Sequence, residues 1–173
     1  VSLAVLLVAV TLLEFDDASD AALWGPVDDV VMGGVSRSDF APAEPGVARF
    51  GGNVSLENSG GFASVRTPPR DWGTAGAAAL VLRVRGDGKT YKFTLRTNDG
   101  FDGIQYQARF VAPAGEWTDV RLPVRDFVAT FRGRKVPFAP SLDAAKVRAL
   151  GLMISDKQAG PFELLVDRIA IER

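Results

Sequence analysis

Residues 79–98 read ALVLRVRGDGKTYKFTLRTN, and the spacing of apolar residues in this stretch decides the fold class. Leu80, Leu82 and Val84 alternate with Val81, Arg83 and Arg85; beyond GDGK, Tyr91, Phe93 and Leu95 alternate with Lys92, Thr94 and Arg96. A period of two puts alternate side chains on opposite faces of a strand, so each segment has one apolar face and one that carries its charge. The glycines of GDGK permit positive φ in a tight turn, and the expectation is a β-hairpin.

The same pattern extends outward. Short alternating segments broken by Gly, Pro, Asn and Asp predict strands over 47–56, 62–67, 104–111, 118–122, 147–155 and 162–171, besides 79–85 and 91–97. The segment VRALGLMIS is apolar on both faces, as a central strand covered on both sides would be. Ahead of it SLDAAKV has the composition for one or two helical turns, with Ser141 as the cap. No long amphipathic helix is predicted. Eight or more short strands with few helical turns indicate an all-β fold, a β-sandwich or jelly roll.

The 173 residues suit one domain of about 100–200 residues. We assign residues 11–173 to a single β-sandwich domain. The apolar run VSLAVLLVAVTLL at the start is shorter than the roughly 20 residues of a spanning helix, so no spanning membrane segment is expected. Over residues 1–10 two readings stand, a remnant of an export signal or an apolar first strand. The chain has no Cys and no His, which excludes thiolate nucleophiles, imidazole acid–base catalysis and zinc sites built on those ligands. A net charge of −1 argues against nucleic acid as a general partner. No metal-ligand spacing and no cofactor motif is present; RGDGK lacks the Gly-Lys-Ser/Thr ending of a phosphate loop, and NDGFDG has Gly100 and Arg109 where a calcium loop needs ligands. Composition does not fix the compartment.

Several motifs occur in order along the chain: Trp24 followed by DDVVMGGVS, FGGNVSLENSGGFASVR, VRGDGKTYKFTLRT, Trp117 with LPVRDF, and LGLMISDKQAGPFELLVDRI. In this combination the chain resembles the complex I intermediate-associated protein family. The resemblance implies a galactose-binding-like jelly roll, close to carbohydrate-binding modules, and a non-catalytic role in assembling respiratory NADH:ubiquinone oxidoreductase (complex I). It also implies a protein partner, an assembly intermediate, and a mitochondrial setting for the family's mitochondrial members; exported, periplasmic or cytoplasmic placement stays open for bacterial ones. Asp28 and Val30 stand where the family pattern has an Asn-like and a Gly-like residue.

Candidate binding residues fall in three groups. In VDDVVMGGVS, Asp28 and Asp29 either cap their own loop through hydrogen bonds or form, with Met32 as an apolar contact, an edge loop that binds a partner or a cation. Arg66 shares a strand face with Ser64, and Arg66, Arg85, Arg96 and Gln105, together with Arg83, Lys92, Gln107 and Arg109, would line one basic sheet face if these strands are neighbours. That face is either solvated or a cleft for an anionic or hydroxyl-rich ligand, since the planar guanidinium binds carboxylates bidentately. Trp117 is either a stacking platform for sugar or a core residue, the core being expected at a strand start. In the third group Asp156, Lys157 and Gln158 precede a Gly-Pro turn, where Lys157 either pairs with Asp156 or contacts a partner. The alternative function is a carbohydrate- or small-ligand-binding module; an enzymatic one would require two of Asp99, Asp102, Glu57 and Glu163 to converge.

Overall fold

The structure, a computed structural model, describes residues 9–173. The strands are β1 (Ala9–Glu14), β2 (Gly25–Pro26), β3 (Arg37–Glu44), β4 (Val47–Val54), β5 (Ala63–Arg66), β6 (Ala79–Arg85), β7 (Thr90–Arg96), β8 (Gln105–Val111), β9 (Thr118–Pro123), β10 (Val128–Phe131), β11 (Arg134–Lys135), β12 (Ala149–Ile154) and β13 (Gly160–Glu172). A five-residue helix, α1 (Ala18–Ala22), is capped by the Asp17 carboxylate on the Ser19 N–H. Among the described residues the strands make two sheets, β3-β4-β13-β6-β9 with β1 also on β13, and β11-β10-β8-β7-β12-β5-β2, and every ladder is antiparallel. The fold is an all-β jelly-roll sandwich.

Strand β13 organises the first sheet. Its first half pairs with β4 and its second half with β1 along the same edge, while β6 runs along the other edge. The segment 9–14 is therefore strand. The part of the N-terminal expectation that concerns residues 1–8 lies outside the described residues. All eight predicted strands are present, and β12 lies between β7 and β5 as an interior strand.

The hairpin expected at GDGK does not form. Strand β6 belongs to the first sheet and β7 to the second, so the chain arches from one layer to the other. Leu80, Leu82 and Val84 then meet Tyr91, Phe93 and Leu95 across the core, all at most 1% exposed. Burial of each such side chain contributes about 1.5–3 kcal/mol, which two strands in one sheet would not achieve against each other. The arch is held by contacts remote in sequence: Gly86 N–H donates to Pro113 O at 3.1 Å and Gly88 N–H to Ala112 O at 2.7 Å. The Asp87 carboxylate accepts from Lys89 N–H (3.0 Å), the Tyr91 hydroxyl (2.9 Å) and Glu163 N–H (2.9 Å). Burial and the adjacent Asp87 carboxylate push the Tyr91 phenol far above its ordinary range, so it stays a donor to that carboxylate.

The expected turn at SLDAAKV is a single 3-10 turn, Ala144–Lys146, and its cap is Asp143, whose carboxylate accepts from Ala145 N–H at 3.0 Å, rather than Ser141. Strand β3 escaped the sequence pattern because it contains Pro42, which a strand tolerates at a sheet edge; β3 is the edge of the first sheet.

Candidate ligand and partner face

The arch between β6 and β7 divides the expected basic face in two. Arg83 and Arg85 point outward from the first sheet. There Arg83 pairs with Asp119 (3.4 Å) and Asp167 (3.8 Å), and Arg85 with Glu44 (3.8 Å). Trp117 joins them at the surface, half-buried, with the Arg83 and Arg85 guanidinium carbons 5.9 and 5.1 Å from its ring centroid. The core placement expected for Trp117 is corrected: its opposite neighbours in β6 are the outward arginines, because Val84 pairs with Thr118 and the face alternates from there. It borders a depression of about 240 Å³ with Glu44 and Asp167.

The outer face of the second sheet carries the rest. Register places Arg66, Gly151, Thr94, Gln107 and Val128 in one row across five strands, and Met153, Lys92 and Arg109 in another. Arg96 lies opposite Ala149, and Gln105 opposite Thr130. Glycine at 151 leaves room for the Thr94 hydroxyl, which a β-carbon there would meet while lying 3.0 Å from Val65 O. Lys92 is 7% exposed and donates to Ser155 Oγ (2.7 Å) and Asp156 (3.2 Å); Arg109 also pairs with Asp156 at 3.0 Å. Asp156 is thus taken by Lys92 and Arg109, not by Lys157, which is exposed. Gln158 clips the β12–β13 turn to β7: its Oε1 accepts from Thr90 N–H at 3.0 Å, and its Nε2 donates to Thr90 O and Ser155 O.

Arg66 and Arg96 differ from these. The loop 97–103 wraps onto them, with Arg96 Nη2 donating to Gly100 O (3.0 Å), Nη1 to Gly103 O (3.5 Å), and Arg66 Nη1 to Phe101 O (3.1 Å). The Arg66 guanidinium also sits 4.9 Å from the Phe101 ring centroid. Arg96 is 4% exposed, and its Nε has no acceptor. Burial lowers the basicity of both arginines, and the Arg96 charge lowers that of Arg66 further. Together they line an open pocket of about 380 Å³. Phe101 is absent from the sequence-based candidates, although Asp99 and Asp102 of its loop are among them; the available signal is an aromatic residue flanked by Gly and Asp.

The loop VDDVVMGGVS is built differently. Asp28 accepts from Ser38 N–H (2.9 Å), Ser38 Oγ (2.6 Å) and Ser64 N–H (3.0 Å). Asp29, 1% exposed, accepts from Ser36 N–H (2.9 Å), Ser36 Oγ (2.6 Å), Gly61 N–H (2.8 Å) and Phe62 N–H (3.4 Å). Burial raises the Asp29 pKa, but the hydrogen bonds from Ser36, Gly61 and Phe62 outweigh it, and the net displacement is downward. Gly33 takes a left-handed φ of 89°, and a β-carbon on Gly34 would collide with the Asp29 carboxylate. The two aspartates tie their own loop to β3 and β5, and above them Val31 and Met32 stand 63% and 64% exposed.

The family profile described as Complex I intermediate-associated protein 30 matches residues 13–166. The chain belongs to the Complex I intermediate-associated protein 30 family. A mitochondrial Complex I intermediate-associated protein 30 of Neurospora crassa is 31% identical over 153 residues, covering 79% of this chain and 55% of that protein. The one from Mus musculus is 31% identical over 96 residues, 53% of this chain and 29% of that protein. The chain thus spans about half or less of these two mitochondrial relatives. Among solved structures, the family 11 carbohydrate-binding module of the cellulosomal cellulase Lic26A-Cel5E of Clostridium thermocellum superposes with a TM-score of 0.70 at 14% identity over 96% of both chains. A family 30 carbohydrate-binding module of that organism gives 0.55 at 14% identity, over 95% and 97%. This likeness is one of fold.

Proposed function

We propose that the chain is a non-catalytic binding module that acts in the assembly of respiratory complex I, holding an assembly intermediate through the exposed loop around Val31 and Met32. The match of the family profile to residues 13–166, which takes in strands of both sheets, carries the reading. The setting is the membrane system that houses complex I, mitochondrial in the named relatives. No helix among the described residues is long and apolar enough to cross a membrane. Support for a non-catalytic role comes from three of the four acids considered for catalysis: Asp99 is paired with Arg148 (2.7 Å), Asp102 with Arg132 (2.7 Å) and Glu163 with Arg49 (2.7 Å), on three different arginines.

The test is crosslinking and affinity capture from the source cell, comparing wild type with a Val31→Asp, Met32→Asp double variant of verified folding. Enrichment of complex I subunits by wild type, lost in the variant, supports the reading. Wild-type capture without complex I subunits overturns it. A carbohydrate-binding module is the competing reading, and Trp117 is the side chain that would favour it; a glycan array on which binding is lost in Trp117→Ala would replace the assembly role.

A further inference from the structure

Beside the Arg66–Arg96 pocket, Arg148 and Arg132 each hold an anion of the chain. Arg148 holds Asp99 through two contacts (2.7 and 3.5 Å), and Arg132 holds Asp102 at 2.7 Å. Those two acids are the carboxylates of the loop that borders the pocket, and both are committed elsewhere. Among the described residues neither Arg66 nor Arg96 has a carboxylate within ion-pair distance; their partners are the carbonyls of Gly100, Phe101 and Gly103. The buried Arg96 guanidinium touches only carbonyls, and the Asp102 carboxylate favours its charge from beyond ion-pair distance; a charge held without direct anionic contact is costly in an interior unless a ligand supplies one. Burial and mutual repulsion depress the basicity of Arg66, so the two cations sense each other across the pocket.

The walls define what kind of anion fits. Leu23, Pro26, Pro68 and Phe101 give the pocket an apolar body. The loop turns its carbonyls toward the arginines, while the N–H groups of Gly100 and Gly103 are taken by the side chains of Asn98 and Asp102, at 3.0 and 2.9 Å. With apolar walls around the guanidinium groups, an anion carried on an apolar body suits the pocket better than a free, strongly hydrated phosphate. A flat two-oxygen anion matches the planar fork of arginine.

We infer that this pocket binds a carboxylate carried on a compact apolar body, with Arg66 and Arg96 sharing the anionic group. The carboxylate comes either from a free organic acid or from the C-terminus of a polypeptide chain. In the second case the inference deepens the assembly reading, on which it otherwise does not depend.

The experiment follows the arginine side-chain N–H resonances of the protein by NMR during titration with hexanoate, with hexanamide, with inorganic phosphate, and with a short peptide ending in Leu-Phe whose C-terminus is either free or amidated. The expected result is a saturable shift of the Arg66 and Arg96 signals with hexanoate or the free-acid peptide and none with the amides. Affinity drops about tenfold or more in Arg66→Gln and is unchanged in Arg125→Gln, an exposed arginine outside the pocket. Arg66 is the better variant because it is half-buried where Arg96 is buried, so its replacement leaves the folded protein intact, which the amide spectrum verifies. Tighter binding of the free-acid peptide assigns the site to a chain end, and tighter binding of hexanoate to a small acid; either supports the inference. It is overturned by equal shifts with the amides, by phosphate binding as tightly as the carboxylates, by unaltered affinity in Arg66→Gln, or by absence of saturation at about 20 mM. Carboxylate binding without capture of complex I subunits would remove the assembly reading and leave this one standing.

Discussion

Two pairs of like charges flank the second sheet, and they are treated in opposite ways. Asp28 and Asp29 are buried and surrounded by donors from Ser36, Ser38, Gly61, Phe62 and Ser64. Arg66 and Arg96 donate to three carbonyls, and among the described residues no carboxylate lies within ion-pair distance of either. A charge whose hydrogen-bonding capacity is filled by its own chain acts as structure; one left short of partners at the edge of a pocket is positioned for something that arrives from outside. Both pairs were candidates on the same footing in the sequence. Satisfaction, which only the folded chain reveals, separates them.

The largest effect should come from the saturated pair. Asp29→Ala leaves the donors of Ser36, Gly61 and Phe62 in the interior without an acceptor, and the expected loss is about 3–5 kcal/mol in urea unfolding. A loss below about 1 kcal/mol would break the comparison, since the aspartate would then be no more structural than a surface acid.

A pH series sharpens the same point. The Asp29 pKa is displaced downward in the folded state. Its contribution is therefore fully present above the unfolded carboxylate value near 4 and is lost as pH falls through the lower folded value. Asp29→Asn removes that titration. The stability gap between wild type and this variant should be constant above about pH 5 and shrink steadily toward pH 3. A gap that widens on acidification would reverse the sign of the shift.

The arginine pair should behave in the opposite way. Arg96→Met keeps an unbranched apolar stem in place of the aliphatic part of the side chain while removing a buried charge that no carboxylate contacts. Stability should change by less than about 1 kcal/mol, or rise, because an apolar replacement avoids the desolvation cost of the cation. Loop 97–103 loses the anchor at Gly100 and Gly103, so faster hydrogen exchange should be confined to that loop. A loss as large as that of Asp29→Ala would make Arg96 a structural tie like the aspartates.

The fold was largely legible because alternation reports which residues of a strand face the core. It does not report which sheet the strand joins. Arg83 and Arg85 were grouped with Arg66 and Arg96 on the assumption that GDGK closes a hairpin, and glycines with positive φ serve an arch as well as a hairpin. The contacts that decide between them, Gly86 to Pro113 and Asp87 to Glu163, come from far along the chain. That Arg66 and Arg96 each point away from the core was legible from parity; that β5 and β7 share a sheet, on either side of β12, was not. The carbonyl cage around them was not, since it depends on how the loop 97–103 closes over β7, and hydrogen bonds to backbone carbonyls leave no trace in residue identity.

The smallest effect probes the remaining unsatisfied donor among the described residues. The indole Nε1 of Trp24 is buried without a partner, and the ring stacks on Phe40 at 4.6 Å between centroids. Unlike Arg96 it is neutral and faces the core rather than a pocket, with Trp24 4% exposed among the packed residues of both sheets. Trp24→Phe removes the stranded N–H and keeps an aromatic ring against Phe40. The gain from the lost donor, about 1–3 kcal/mol, opposes a cavity cost of similar size for the smaller ring. The net change in thermal midpoint should then be near zero, whereas Trp24→Ala should lose about 3–5 kcal/mol. If Trp24→Phe costs as much as Trp24→Ala, the N–H contributes a contact of its own, and unsatisfied donors in this protein would no longer distinguish the pocket from the core.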